Sequence, residues 1–341
     1  TVVDHARRAI RHKHTLDDTV DILEDAGYYH RGWAGAGCEV RGRGRIGALA
    51  AVGAWAGFDD WTYERIAYRQ FDRCGTPREI DHDAVFEAAD QEYPAVWDTV
   101  DRAAGEAVCV PNAPGPILYG IRGDDPTAIK GVADEIAAGD DTEPVDRWST
   151  FITNQGTDSH LAGGSLGSLR EDAGYRVDGV VSTEPETRRG GHVFFTLGTG
   201  YCRDARGDDE PAPDATVDCA AFEPTKRFRE HVRALRVGDR LTVCGEYTDG
   251  TIKLEKFAVR ELNRTERVTP ECPDCGRRMK SAGRTQGYRC RDCGTDAPGK
   301  VSRELDRAVD VGWYEVPPAA RRHIAKPLVR GGFDAATHPE R

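Results

Sequence analysis

Four cysteines carry the plainest chemistry in the chain. Cys272, Cys275, Cys290 and Cys293 form two Cys-x-x-Cys pairs separated by fourteen residues. Two such knuckles can place four thiolates tetrahedrally around Zn²⁺, and the spacer suits a zinc-ribbon hairpin; the competing reading is a pair of redox dithiols. Four protein ligands leave no open coordination position, so this zinc would be structural and would supply folding energy to a small module. Cys38, Cys74, Cys109, Cys202, Cys219 and Cys244 follow no spacing. They read as reduced thiols of a cytosolic protein.

Three other stretches hold polar chemistry. Thr153 to His160 reads Thr-Asn-Gln-Gly-Thr-Asp-Ser-His, either a capped loop or a polar site for a base or phosphate. Gly42, Gly44 and Gly47 would let backbone amides approach a phosphate ahead of a helix, or simply make a turn. Asp17-Asp18-Thr19 resembles a Mg²⁺-binding acidic motif, but it opens an amphipathic helix, where an N-cap is the simpler account.

Charge is unevenly spread. The 341 residues carry 47 basic and 58 acidic side chains, a net −11, with only 8 Lys against 39 Arg. Abundant Asp with scarce Lys suits a high-salt cytoplasm, where charge is screened within a few ångströms; drift in a GC-rich genome is the alternative. Residues 264–341 are nevertheless net +5, which points to a polyanionic partner for that end. The overall −11 argues against nonspecific coating of nucleic acid. No apolar run reaches the roughly 20 residues needed to span a bilayer, and the opening residues lack a signal-peptide layout.

These groups need elements to position them, and length allows two or three domains. Residues 1–30 carry helical periodicity that stops near Gly27, and a Gly-rich turn from Gly35 to Arg45 leads into the apolar run Ile46 to Trp55. Residues 60–130 mix short helix and strand signals, and Asp140 to Asp146 reads as an acidic linker. From Tyr175 the pattern is clearer. Strands are expected at 175–182, 192–196, 215–222, 240–247 and 251–259, with a helix at 226–235. Three strands, a helix and two strands make the layout of a five-stranded OB-fold barrel, with another small β-barrel as competitor. The tail from Phe333 should be frayed.

A barrel followed by a basic ribbon implies nucleic acid, with the barrel stacking bases and the ribbon meeting phosphates. The phosphate set is Arg277, Arg278, Lys280, Arg284, Arg289, Arg291, Arg321, Arg322 and Lys326. A merely solvated basic face is the plain alternative.

Nearly the whole chain resembles the archaeal 2-agmatinylcytidine synthetases of isoleucine tRNA. The matching strings are Gly44 to Gly53, Asp60 to Arg69, Gly120 to Asp124 and Thr153 to Leu161. Gly190 to Val193, Glu223 to Arg229, Cys272 to Cys293 and Tyr314 to His323 complete the set. The resemblance implies an α+β multidomain ligase with a kinase-like domain, a ferredoxin-like domain, an OB fold and a zinc ribbon. On that plan residues 1–30 are a remnant of the kinase-like domain and 31–147 the ferredoxin-like domain. A polar connector at 148–174 leads to the OB fold at 175–263, the ribbon with its basic segment at 264–331, and a tail at 332–341.

It further implies that ATP with Mg²⁺ activates the 2-carbonyl of the wobble cytidine, and that the amine of agmatine then displaces the phosphate. The product would let the tRNA read AUA. The family's Asp-Asp-Thr-Asp strand and phosphorylated Thr have no match here, so the catalytic residues are expected upstream of residue 1. Agmatine is dicationic, which makes Asp60, Glu64 and Asp124 candidates for its pocket. Gly44, Gly47, Arg122, Asn154, Gln155, Thr157, Asp158 and His160 are candidates for substrate or nucleotide. Lys226, Arg227 and Arg229 join Lys280, Arg289, Arg321, Arg322 and Lys326 as tRNA contacts. The rival readings are a non-catalytic OB-fold and zinc-ribbon RNA-binding protein, or a single-stranded DNA-binding factor.

Overall fold

The computed structural model describes residues 1–11, 14–32, 42–199, 215–283 and 286–341. Cys38, Cys202, Arg284 and residues 35–41 of the Gly-rich turn lie outside them.

The helical signal of residues 1–30 resolves into two helices, α1 (Val2–Ala9) and α2 (Leu16–Asp25). A capping box of Thr1 and Asp4 starts the first. Thr15, rather than the Asp pair, caps the second: its hydroxyl accepts from the Asp18 amide at 3.2 Å. Asp17 and Asp18 lie exposed in the first turn, where negative charge complements the helix dipole. Gly27, at φ +71°, ends α2 as expected.

The apolar run forms α3 (Gly44–Ala54). Its Gly53 lies so close to α1 that an added Cβ would sit 2.2 Å from the Val2 carbonyl oxygen. The opposite face, with Ala48, Ala51, Val52 and Trp55, is open to solvent.

Residues 62–153 make a split βαβ sheet. The chain runs β1 (Thr62–Arg69), α4 (His82–Gln91), β2 (Val96–Trp97), β3 (Ile117–Gly123), α5 (Pro126–Ala138) and β4 (Val145–Thr153). The strand order is β2-β3-β1-β4, antiparallel throughout. This is the ferredoxin-like arrangement. Asp81 and Asp125 cap the two helices. Val85, Ile129, Val132 and Ile136 pack on Ala67, Tyr119 and Ile121 of the sheet.

Two expectations need correction here. A boundary at 147 would cut through β4. The acidic linker is a packed turn, in which Glu143 is fully buried against Arg69 with two hydrogen bonds of 2.5 and 2.9 Å.

The barrel follows β5 (Leu161–Gly163), which lies parallel against β6 (Ala173–Val181). After the short β7 (Glu186–Thr187) come β8 (Val193–Gly198), β9 (Thr216–Ala221), α6 (Phe228–Arg233), β10 (Arg240–Thr248) and β11 (Thr251–Glu261). The pairs β6–β8, β8–β9, β9–β11, β11–β10 and β10–β6 close the ring, with β9–β11 parallel. That circuit is the OB fold. Phe195, Leu197, Phe228, Val243 and Phe257 fill it.

Within 264–331 the ribbon proper is the part closed by its stem strands. Its stem pairs β12 (Thr265–Val268) with β16 (Val301–Glu304). Between them a small sheet of β13 (Lys280–Ser281), β14 (Tyr288–Arg289) and β15 (Asp296–Ala297) carries the knuckles. The chain then returns to the barrel, where β17 (Gly312–Glu315) joins β11 and β18 (Thr337–His338) joins β17. The tail is docked, not frayed.

Removing the carboxylate at Glu143 leaves the Arg69 guanidinium buried without its counter-charge. Glu143→Ala should cost about 3–5 kcal/mol, read by denaturant unfolding. A loss below about 1 kcal/mol would show the pair to be dispensable.

Candidate metal centre and module junction

The four sulfurs of Cys272, Cys275, Cys290 and Cys293 all lie within 4.8 Å of one another, and Cys275 Sγ is 3.6 Å from Cys290 Sγ. A tetrahedron with Zn–S bonds of about 2.3 Å requires separations of about 3.8 Å, so the donor set fits zinc. Each knuckle turns through a glycine with positive φ, Gly276 and Gly294, whose amides donate to the Cys272 and Cys290 carbonyls. Those glycines follow each Cys-x-x-Cys in the sequence.

The C-terminal segment after β17 holds the ferredoxin-like sheet against the barrel. Arg321, 5% exposed, is clasped between Asp98 on one side and Glu315 of β17 on the other. Arg330, 7% exposed, donates to Asp124 at 2.7 Å, Asp60 at 2.9 Å and the Gly156 carbonyl at 2.7 Å. Arg341 pairs with Asp90, and Arg227 of the barrel bridges Asp101 and Glu340.

The run from Thr153 to His160 lies at the centre of this junction. Gly156 has φ +64° and packs against Trp97, whose ring would be 2.6 Å from an added Cβ; its amide donates to the His323 carbonyl. The Thr157 hydroxyl donates to the Asn154 carbonyl and accepts from the Ser159 amide. Asp158 accepts from buried Lys256 at 2.7 Å and from the Lys326 amide at 2.8 Å. Both His160 ring nitrogens face backbone carbonyls, of Ile10 and Asn154, and burial holds its pKa below the usual value. The run is thus packed between the modules, with only Gln155 exposed. Burial pushes His323 down to about 3, so it stays neutral; its Nδ1 lies 3.7 Å from Asp98 Oδ2.

The remaining candidates separate cleanly. Glu64 pairs with Arg122 at 2.5 Å across β1 and β3. Asp60 and Asp124 meet at Arg330, so each agmatine candidate already faces a guanidinium. Gly44 and Gly47 stand in the first turns of α3 with open space beside them.

In the tRNA set, Arg321 is corrected: it is an internal ion-pair partner and cannot reach a phosphate. Arg322 is half-exposed but held by Glu246 and Glu255. Arg229 donates to the Gly191 carbonyl, Arg289 pairs with Asp296, and Lys226 lies 3.4 Å from Glu223. Lys280 is exposed, and the Lys326 ammonium lies 5.8 Å from the Phe333 ring. Arg330 and Lys256 were missed. No local periodicity marks a lone basic residue as buried, because its partners lie far off in the chain.

An OB barrel joined to a four-cysteine ribbon and a ferredoxin-like sheet is the build of a multidomain nucleic-acid-processing protein. Two family models match: the TiaS FLD domain over residues 42–160 and the TiaS C-terminal zinc ribbon domain over 269–309. The tRNA 2-agmatinylcytidine synthetase TiaS of Haloquadratum walsbyi is 58% identical, over 100% of this chain and 77% of that protein. A crystal structure of TiaS in complex with its isoleucine tRNA and ATP superposes with TM-score 0.82 at 40% identity, covering 100% of this chain and 75% of the other. A TiaS complex with the same tRNA, AMPCPP and agmatine gives 0.80 at 38%, covering 99% and 75%. The chain belongs to the TiaS family of tRNA 2-agmatinylcytidine synthetases.

Two outcomes test the site. The purified protein should hold one zinc per chain, and a Cys290→Ser variant well under half of that by elemental analysis; full occupancy in the variant would remove Cys290 from the ligand set. Arg330→Ala should cost about 2–3 kcal/mol in denaturant unfolding, since it strands half-exposed carboxylates and a buried carbonyl. Arg330→Lys should recover only part of this, because one ammonium cannot span three acceptors; full recovery would reduce the role to net charge.

Proposed function

We infer that the protein is an ATP-dependent ligase that joins agmatine to the 2-position of the wobble cytidine of the AUA-decoding isoleucine tRNA. The observation that carries this reading is the 58% identity to a TiaS synthetase in an alignment that spans the whole of this chain. A binding protein built of barrel and ribbon alone would not need the ferredoxin-like sheet or the junction that fixes it.

The modules divide the work. The barrel and the zinc-held ribbon grip RNA, and the target base leaves its stack to be reached. ATP in such a ligase supplies the leaving group. Among the described residues the only cluster of metal-ligand geometry is the four cysteines. Asp60, Glu64 and Asp124 remain the proposed carboxylates for dicationic agmatine, which would share them with Arg330 and Arg122. With tRNA as substrate, the cytoplasm is the proposed compartment; among the described residues no helix is long and apolar enough to cross a membrane.

The test deletes the encoding gene in its host, isolates the AUA-decoding isoleucine tRNA and weighs its wobble nucleoside. Unmodified cytidine is expected, with the agmatinyl adduct restored on complementation. An adduct that persists in the deletion would overturn the reading.

A further inference from the structure

A cleft of about 1250 Å³ separates the outside of the barrel from the ribbon stem. Its walls come mainly from β6, β10, β11 and β12 rather than from β8 and β9, the second and third barrel strands that OB folds ordinarily offer to nucleic acid. We propose that this cleft is the track for the phosphodiester backbone of the tRNA, with Arg236, Arg264 and Arg267 as its phosphate ligands. The assignment rests on the ligase reading above.

Pairing is what singles out these three. Arg227, Arg289, Arg321 and Arg322 each spend their charge on a carboxylate of the protein. Arg236, Arg264 and Arg267 line the cleft with no side-chain ion pair among the described residues.

Three of the five acids lining the cleft are paired with an arginine. Glu261 lies 3.7 Å from Arg240, and Glu266 is taken by Arg303. Asp334 accepts from Arg260 and the Trp313 indole, whereas Asp178 accepts from the Thr242 hydroxyl and keeps its charge. Glu184 alone of the lining acids lacks a partner among the described residues. A guanidinium that is charged and unpaired binds phosphate through two parallel donors, more tightly than one already shared with a carboxylate.

The two lips are also held in place. Fully buried Asp239 accepts from the backbone amides of Arg236 and Asn263, both at 2.8 Å, and from both terminal nitrogens of Arg307 at 2.7 Å. One carboxylate thus ties the backbone of Arg236 to the residue before Arg264, and to the segment that follows β16 out of the ribbon. Phosphate ligands mounted on such a knot need little ordering when RNA arrives.

The experiment measures isoleucine-tRNA binding by the wild type and by an Arg236→Glu, Arg264→Glu, Arg267→Glu triple variant across a salt series. Arg147→Glu, on an exposed residue of β4, supplies a single charge reversal outside the cleft. Zinc content and circular dichroism check folding, and the corresponding triple Gln variant replaces the Glu variant if that fails to fold.

The triple variant should bind at least about tenfold more weakly, and the slope of log affinity against log salt should fall by about one for each phosphate left without its arginine. Arg147→Glu should leave the slope unchanged. Wild-type affinity and slope in the folded triple variant would overturn the cleft assignment while leaving the ligase reading intact. A wild-type protein that binds no tRNA would overturn the ligase reading itself.

Discussion

The structure turns on buried guanidinium groups set between modules. Arg321, closed between Asp98 and Glu315, and Arg330, spread over Asp60, Asp124 and the Gly156 carbonyl, fasten the sheet to the barrel through ion pairs. Such pairs add little net stability, because desolvation offsets much of the attraction, but a misplaced partner leaves a bare charge in a dry site. They therefore select one arrangement of sheet and barrel. The run from Thr153 to His160 inherits its shape from that arrangement: Gly156 is trapped between Trp97 and His323, and Asp158 between Lys256 and the Lys326 amide.

The same geometry bears on the excess of Arg over Lys. Arg69, Arg307, Arg321 and Arg330 each satisfy two or more acceptors at fixed angles while nearly sealed from water. A planar fork does this and a compact ammonium does not. Lys256 is the instructive contrast: its single Nζ meets two oxygens, Asp158 Oδ1 and the Lys326 carbonyl, where the demand is small. Part of the composition that suggests an adaptation to salt is thus explained by interior work.

What could be read from the sequence depended on how local its cause was. Knuckle spacing identified the zinc ligands because tetrahedral thiolate geometry is set within a few residues. The barrel strands fell close to their observed ends, because alternation and turn glycines are also local. Arg321 lies 223 residues from Asp98 and Arg330 lies 206 from Asp124, and no window of sequence contains both ends of the bond. Arg321 consequently read as a phosphate contact, the 140–146 segment as a linker and the tail as frayed. In each case a distant partner changes a residue that looks solvated into one that is enclosed. The Asp17 and Asp18 pair read as an N-cap; its helical setting is local and was legible, but the cap itself is Thr15, and the two acids lie in the first turn.

The docking of the tail has a consequence for synthesis. Asp90 and Arg341 are 251 residues apart, and β17 reaches β11 only after the entire ribbon has been made. A chain emerging N-terminus first completes its ferredoxin-like sheet and its barrel while Asp60, Asp98 and Asp124 still face water. Until the segment beyond β17 leaves the ribosome, the junction lacks Arg321 and Arg330, and Arg227 with Asp101 is left to pair barrel with sheet. A nascent chain that stalls just short of Arg321 therefore lacks both guanidinium groups that clasp the sheet to the barrel.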